Sequence, residues 1–186
     1  MTVMTTAQVA AGTRMSIAEW LALPEDDGCL VELFEGVIVL TMNPPVRRHT
    51  RLVTELAFLL RQGVPRDMTV LVGPFGVLVP TRNSALEPDL AVVPTAERDE
   101  MDATPWLVAE VLSPSTRGRD QVDKRRLYAA RGILSYWLLD PQVPDLRVLE
   151  LGDSGEYVEI TYVSAGEAVD LMRPFAVRVC PAELLA

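Results

Sequence analysis

Trp106-Leu107-Val108-Ala109-Glu110-Val111-Leu112, closed by Ser113-Pro114, is an apolar run interrupted by one carboxylate. A short apolar run rich in β-branched residues and bounded by turn residues reads as a strand covered on both faces. Alternation of side chains along a strand puts Glu110 on the face shared by Trp106, Val108 and Leu112. An ionised carboxyl group among such neighbours is costly unless it is paired or holds a metal. The fold must therefore bring compensation to Glu110.

Elements on both sides of this strand follow from local pattern. Pro88-Asp89 opens a strand over 90–93, and two further strands are expected over 69–72 and 76–79, separated by Gly73-Pro74. Ser16 and Glu19 have the spacing of a capping box, so a short helix starts there. Val31 to Thr41 reads as a hairpin turning at Glu35-Gly36. Leu52, Val53, Leu56, Leu59 and Leu60 recur at three- and four-residue steps, which predicts a helix over 48–62. A second helix is expected from about Asp120 to Ala130, stopped by Gly132, followed by a strand at 136–139. The alternating segments 147–151 and 157–163 form a second hairpin around Gly152-Asp153-Ser154-Gly155, and 169–179 adds an edge strand. The fold class is mixed α/β (α+β): a central mixed sheet flanked by helices, with N-terminal and C-terminal hairpins. Residues 1–14 read as a frayed end and residues 15–186 as one domain.

Composition narrows the function. The net charge of −9 and isoelectric point near 4.6 are the reverse of the basic footprint of a protein that grips nucleic acid by charge alone. A carboxylate site loaded with divalent cations reverses that sign locally, so a nuclease stays open. Cys29 and Cys180 are far apart and His49 is the sole histidine, so neither a zinc site nor a disulfide scaffold is indicated. No apolar run approaches the length of a membrane span and no secretory leader is evident, so a cytoplasmic protein without a membrane partner is expected. A hydrophobic content of 49% suggests a homodimer that covers an apolar face.

Lys124 is the single lysine beside sixteen arginines. It shares a helical stripe with Asp120, Leu127, Tyr128 and Arg131, so its stem points inward or toward the rim. Two readings stand: a surface ion pair with Asp120, or an ammonium that reaches the carboxylates and positions or deprotonates a water. His49 shares a stripe with Leu52, Val53 and Leu56, either as a packing residue or as part of a site. Arg47, Arg48 and Arg51, with Arg117, Arg119, Arg125 and Arg126, are the clustered cations, fit for phosphates or for solvent.

Pro88-Asp89, then Leu107 to Thr116, then Arg119-Asp120 with Lys124, Leu127-Tyr128 and Gly132, then Tyr136-Trp137-Leu138-Leu139-Asp140-Pro141 together resemble the Uma-type family of restriction endonucleases. The segment Val31 to Gly36 and His49 resemble the start of that family, so the likeness spans about residues 16 to 163. The resemblance implies a PD-(D/E)xK nuclease in which Asp89, Glu110 and the Val111 carbonyl coordinate Mg²⁺, with Mn²⁺ able to substitute. Leu112 stands where the superfamily's lysine would be, so the resemblance implies that Lys124 supplies the ammonium from the helix. Glu32 then makes a water-mediated or second-metal contact, or is a solvent-facing hairpin residue; Asp120 and His49 are accessory. The expected activity is Mg²⁺-dependent hydrolysis of phosphodiester bonds, in DNA as nucleic-acid partner. The alternatives are a non-catalytic module of the same fold and a hydrolase of another phosphoester.

Overall fold

A computed structural model describes residues 9–24, 29–41 and 47–186. Ser16 and Glu19 close the capping box that starts α1 (Ile17–Leu21). β1 (Leu30–Phe34) and β2 (Val37–Thr41) pair antiparallel in full register, with Glu35 and Gly36 at positive φ in the turn. α2 (Arg47–Gly63) buries Leu52, Val53, Leu56, Ala57 and Leu60. β3 (Met68–Val72), β4 (Val77–Val79), β5 (Ser84–Leu86), β6 (Leu90–Pro94) and β7 (Leu107–Val111) follow. After them come α3 (Arg125–Arg131), β8 (Ser135–Asp140), β9 (Asp145–Leu151), β10 (Tyr157–Ser164), β11 (Val169–Leu171) and β12 (Val177–Val179).

The strands form a six-stranded sheet of order β10-β9-β8-β7-β6-β3 and a four-stranded sheet of order β2-β1-β5-β4. β7 and β8 are the parallel pair; their neighbours run antiparallel, which makes the larger sheet mixed. Its two faces are both covered, as the apolar run in β7 requires. Leu107, Ala109 and Val111 pack with Leu52, Leu56 and Leu60 of α2. Val108 and Leu112 pack on the opposite face with Leu127, Tyr128 and Tyr136. Glu110 belongs to that second face by alternation, between Val108 and Leu112.

Three expectations are corrected. Residues 1–8 lie outside the described residues, but 9–14 are not frayed: Val9 is buried, Gly12 N–H donates to Ile38 and Ile38 N–H to Thr13. Satisfying the outer backbone edge of β2 holds this segment. The tail is not an edge strand of the main sheet; β11 and β12 pair with each other, and Leu171, Phe175 and Val179 join the α2 face of the core. The second helix is not α-helical throughout, because Arg119–Lys124 forms a π-helical segment that leads into α3. Gly132 ends α3 as read, at φ 83° in the left-handed region.

Leu56 is fully buried whereas Phe58 on the same helix is 65% exposed. Leu56→Ala is expected to lower stability by about 2–5 kcal/mol. Phe58→Ala should stay within about 0.5 kcal/mol of the parent. Urea denaturation of the two variants checks both.

Candidate active site

Strand register sets the first pair of residues. β6 and β7 run antiparallel with Leu90 opposite Ala109. Asp89, one residue ahead of β6, therefore arrives beside Glu110 where β7 leaves the sheet. Its Oδ2 accepts a hydrogen bond of 2.7 Å from the Val111 N–H. Gly73 makes room for this corner: a Cβ there would sit 2.6 Å from the Pro88 carbonyl oxygen, and the Gly73 N–H donates to Asp89 O.

His49, in the first turn of α2, places Nε2 3.2 Å from Asp89 Oδ2. Burial opposes charge on the ring, but the Asp89 carboxylate and the Val111 backbone outweigh it and raise the pKa from the ordinary histidine value. His49 thus makes a polar contact with Asp89 in addition to its place on the inward side of α2.

The second group is a buried ionic cluster around Lys124. Its Nζ lies 2.9 Å from Glu32 Oε1, 2.9 Å from Glu110 Oε1 and 3.8 Å from Asp120 Oδ1. It also donates to the Glu87 carbonyl at 3.3 Å. Lys124 is 4% exposed, Glu32 2%, Glu110 3% and Asp120 1%. At that depth the contact is no surface pair, and Glu32 is no solvent-facing hairpin residue. Glu32 reaches the cluster because the β1–β5 pairing, Leu33 opposite Ala85, sets β1 beside the segment that carries Glu87. The Glu87 N–H donates to Glu32 Oε1, and the Tyr128 hydroxyl donates to Glu110 Oε1 at 2.8 Å. Asp120 and Lys124 both turn inward from the π-helical segment while Val122 is exposed. Such turns are rare and concentrate at functional sites.

The charges do not balance, and the protonation equilibria register it. Burial pushes Glu110 well above the ordinary carboxyl range; Lys124 pulls it back, and Asp120, Asp89 and Glu32 push it further up. Burial likewise raises Asp120, against the pull of Lys124 and the Thr116 hydroxyl. Neither Asp120 oxygen has a hydrogen-bond partner of normal geometry among the described residues. Burial by itself would depress the Lys124 pKa, but Glu110, Glu32 and Asp120 override it and hold the ammonium protonated. Lys124 thus sits among these carboxylates as the ammonium.

Glu87 is the residue that sequence reasoning missed. Burial, then the charge of Glu32, raise its pKa to about 7, opposed by Lys124. The one sequence signal was its position immediately ahead of Pro88-Asp89.

The clustered arginines separate into two groups. Arg117 pairs with Asp140, and Arg126 grips Glu35 through two hydrogen bonds of 2.8 and 2.9 Å. Arg125 donates to the Tyr157 carbonyl and Arg119 to the Thr41 hydroxyl. Arg47, Arg48 and Arg51 are exposed and enter no ion pair among the described residues.

Among the described residues no three acidic, histidine or cysteine side chains are gathered as a ready-made metal cage. A small dication such as Mg²⁺ needs less, since it takes one or two carboxylates and keeps several waters. Asp89 and Glu110 with the Val111 carbonyl are hard oxygen donors of that kind, set in a cluster with more negative than positive charge. The residues fit such an ion in donor chemistry and in charge. No helix among the described residues is long and apolar enough to cross a membrane.

A mixed sheet covered on both faces, with acidic residues converging where its central strands end, defines a restriction-endonuclease-like protein. The chain belongs to the Uma2 family, described as "Putative restriction endonuclease", which matches residues 17–183. It is similar in fold to a crystal structure from Anabaena variabilis entitled a "putative nuclease belonging to DUF820". The TM-score is 0.73 and the identity 19%, over 92% of this chain and 97% of that one. No curated protein matches the chain.

Lys124→Ala leaves buried carboxylates without their cation and is expected to cost about 3–5 kcal/mol at neutral pH. Glu110 and Asp120 bind protons more tightly folded than unfolded, so stability falls as pH rises above the ordinary carboxyl range. Part of the loss in Lys124→Ala should therefore return on acidification to about pH 5. Glu87→Gln should flatten the pH dependence of stability between 4.5 and about 7, the interval of its shift. Denaturant titrations across this range measure each effect.

Proposed function

We propose that the chain is a Mg²⁺-dependent endonuclease that hydrolyses phosphodiester bonds in DNA, with Mn²⁺ able to substitute. The observation that carries this reading is Asp89 anchored on the Val111 N–H at 2.7 Å, beside a Glu110 that is itself held by Lys124 at 2.9 Å. Two carboxylates fixed from adjacent strands are a preorganised pair, which spares the reaction the cost of assembling them.

Asp89, Glu110 and the Val111 carbonyl would hold the ion, which when bound supplies a water of lowered pKa and neutralises charge building on the phosphate. Lys124 keeps its proton and fixes the Glu110 oxygen through the 2.9 Å contact. Glu32 fixes Lys124 from the opposite side, and its own oxygen is held by the Glu87 N–H. His49 orients the Asp89 carboxylate from α2. Asp120 adds negative charge that strengthens the hold on any cation.

A second reading is a non-catalytic binding or assembly module of the same fold. It is favoured by the full engagement of Lys124 with carboxylates and by Leu112 at the position of the superfamily's lysine. The homodimer belongs to this proposal on the strength of exposed apolar side chains such as Trp106 and Leu134, and the cytoplasm on two free cysteines.

Asp89→Asn and Glu110→Gln are expected to abolish Mg²⁺-dependent nicking of supercoiled plasmid, read on agarose gels. Wild-type rates in both variants refute the assignment. Calorimetry with Mn²⁺ separates the two readings: heat that disappears in Asp89→Asn supports the nuclease, and its absence from the parent supports the module.

A further inference from the structure

α2 has an outward face that the fold does not explain. Its inward row is spent on the core, whereas Arg47, Arg48, Arg51, Phe58 and Arg61 all point to solvent. Arg51 follows Arg47 by four residues and Arg48 by three, and Phe58 follows Arg51 by seven, so all lie along one side of the helix. Thr54 and Glu55 interrupt the row, and Glu55 is its single acid.

The first turn runs against helix electrostatics. The N-terminal end of a helix carries a partial positive charge, and each cation placed there is disfavoured by a few tenths of a kcal/mol or more. α2 has no acid in its first turn and instead has Arg47 and Arg48, with Arg51 one turn on. α1 shows the usual arrangement, with Glu19 in its first turn. The arginines of α2 repel one another at three- and four-residue spacing, and Arg47, Arg48, Arg51 and Arg61 have no acidic partner among the described residues. In a chain of net charge −9, this is a local basic strip. An anionic polymer laid on it removes the repulsion.

Phe58 adds a second independent sign. It is 65% exposed, the most exposed aromatic on the described surface. Tyr162, another exposed ring, is already used: Arg147 lies over it at 5.3 Å and its hydroxyl donates to Asp145. A bare aromatic between guanidinium groups is the composition of a platform on which an unpaired base stacks. His49 belongs to the inward side of α2 with Leu52, Val53 and Leu56, where it touches Asp89, so the strip lies on the face of the helix turned away from that contact.

We infer that the outward row Arg47, Arg48, Arg51, Phe58 and Arg61 of α2 is a track for single-stranded nucleic acid. The guanidinium groups meet phosphates, and one base stacks on Phe58. The track rests on the nuclease reading only for its substrate, because binding along it requires neither metal nor cleavage.

The test is fluorescence anisotropy with a labelled single-stranded oligothymidylate and with a matching duplex, in EDTA. Phe58→Ala is expected to weaken single-strand binding about 5- to 100-fold, and Phe58→Tyr to restore it. Arg48→Ala with Arg51→Ala should reduce the salt slope by about 0.7 per charge removed. Equal affinity of Phe58→Ala and parent, or no binding by the parent, overturns the track. So does a shift of Phe58→Ala from dimer to monomer in gel filtration, since a second copy would then cover the face. A parent that binds the oligonucleotide but never cuts with Mg²⁺ refutes the nuclease reading and leaves the track intact.

Discussion

The ammonium of Lys124 among the carboxylates of Glu32, Glu110 and Asp120 is the constraint from which the arrangement of this molecule follows. At an effective dielectric near 20, each 2.9 Å contact attracts by roughly 6 kcal/mol before desolvation is counted. Taking each ion out of water costs several kcal/mol. The balance is favourable only with every partner in place, so the cluster acts as a coordinate lock more than as a source of stability. It joins the hairpin of the four-stranded sheet, the central strand of the six-stranded sheet and the segment between β7 and α3. Tyr128 and the Glu87 backbone complete it.

Much of this was legible in the chain. Glu110 stood out because its neighbours are apolar on both sides, and alternation gave its face correctly. Lys124 stood out as the one lysine, and helix phase turned it inward; the π-helical geometry that delivers it left no trace in residue spacing. Glu32 was harder. Within an isolated hairpin it alternates outward, and what buries it is β5, a strand of three residues too short to read from pattern. Glu87 and His49 depend on tertiary pairing alone, Glu87 through its backbone contacts and His49 through the approach of α2 to the corner at Asp89. The pairing of residues 9–14 with β2 was invisible for a related reason, since backbone hydrogen bonds carry no side-chain signature.

The two faces of the main sheet divide the labour. The α2 face is a dry core closed by Leu171, Phe175 and Val179 of the C-terminal segment. The opposite face begins as a core around Tyr128 and Tyr136, 5.2 Å apart in edge-on contact, and turns ionic toward the ends of β7 and β8. Asp89 stands at the boundary, where His49 arrives from one face and the backbone of Val111 from the strand itself. The polar groups are thereby presented at an edge, with rigid strands behind them.

The solitary lysine has a practical corollary. With Lys124 sealed and held protonated by its acidic neighbours, the native protein offers no lysine nitrogen to acylating reagents, aldehyde cross-linkers or enzymes that conjugate proteins through lysine. Any adduct found on that side chain must have formed while the strands around it were apart, so its rate of appearance is a clock for opening of the molecule's interior.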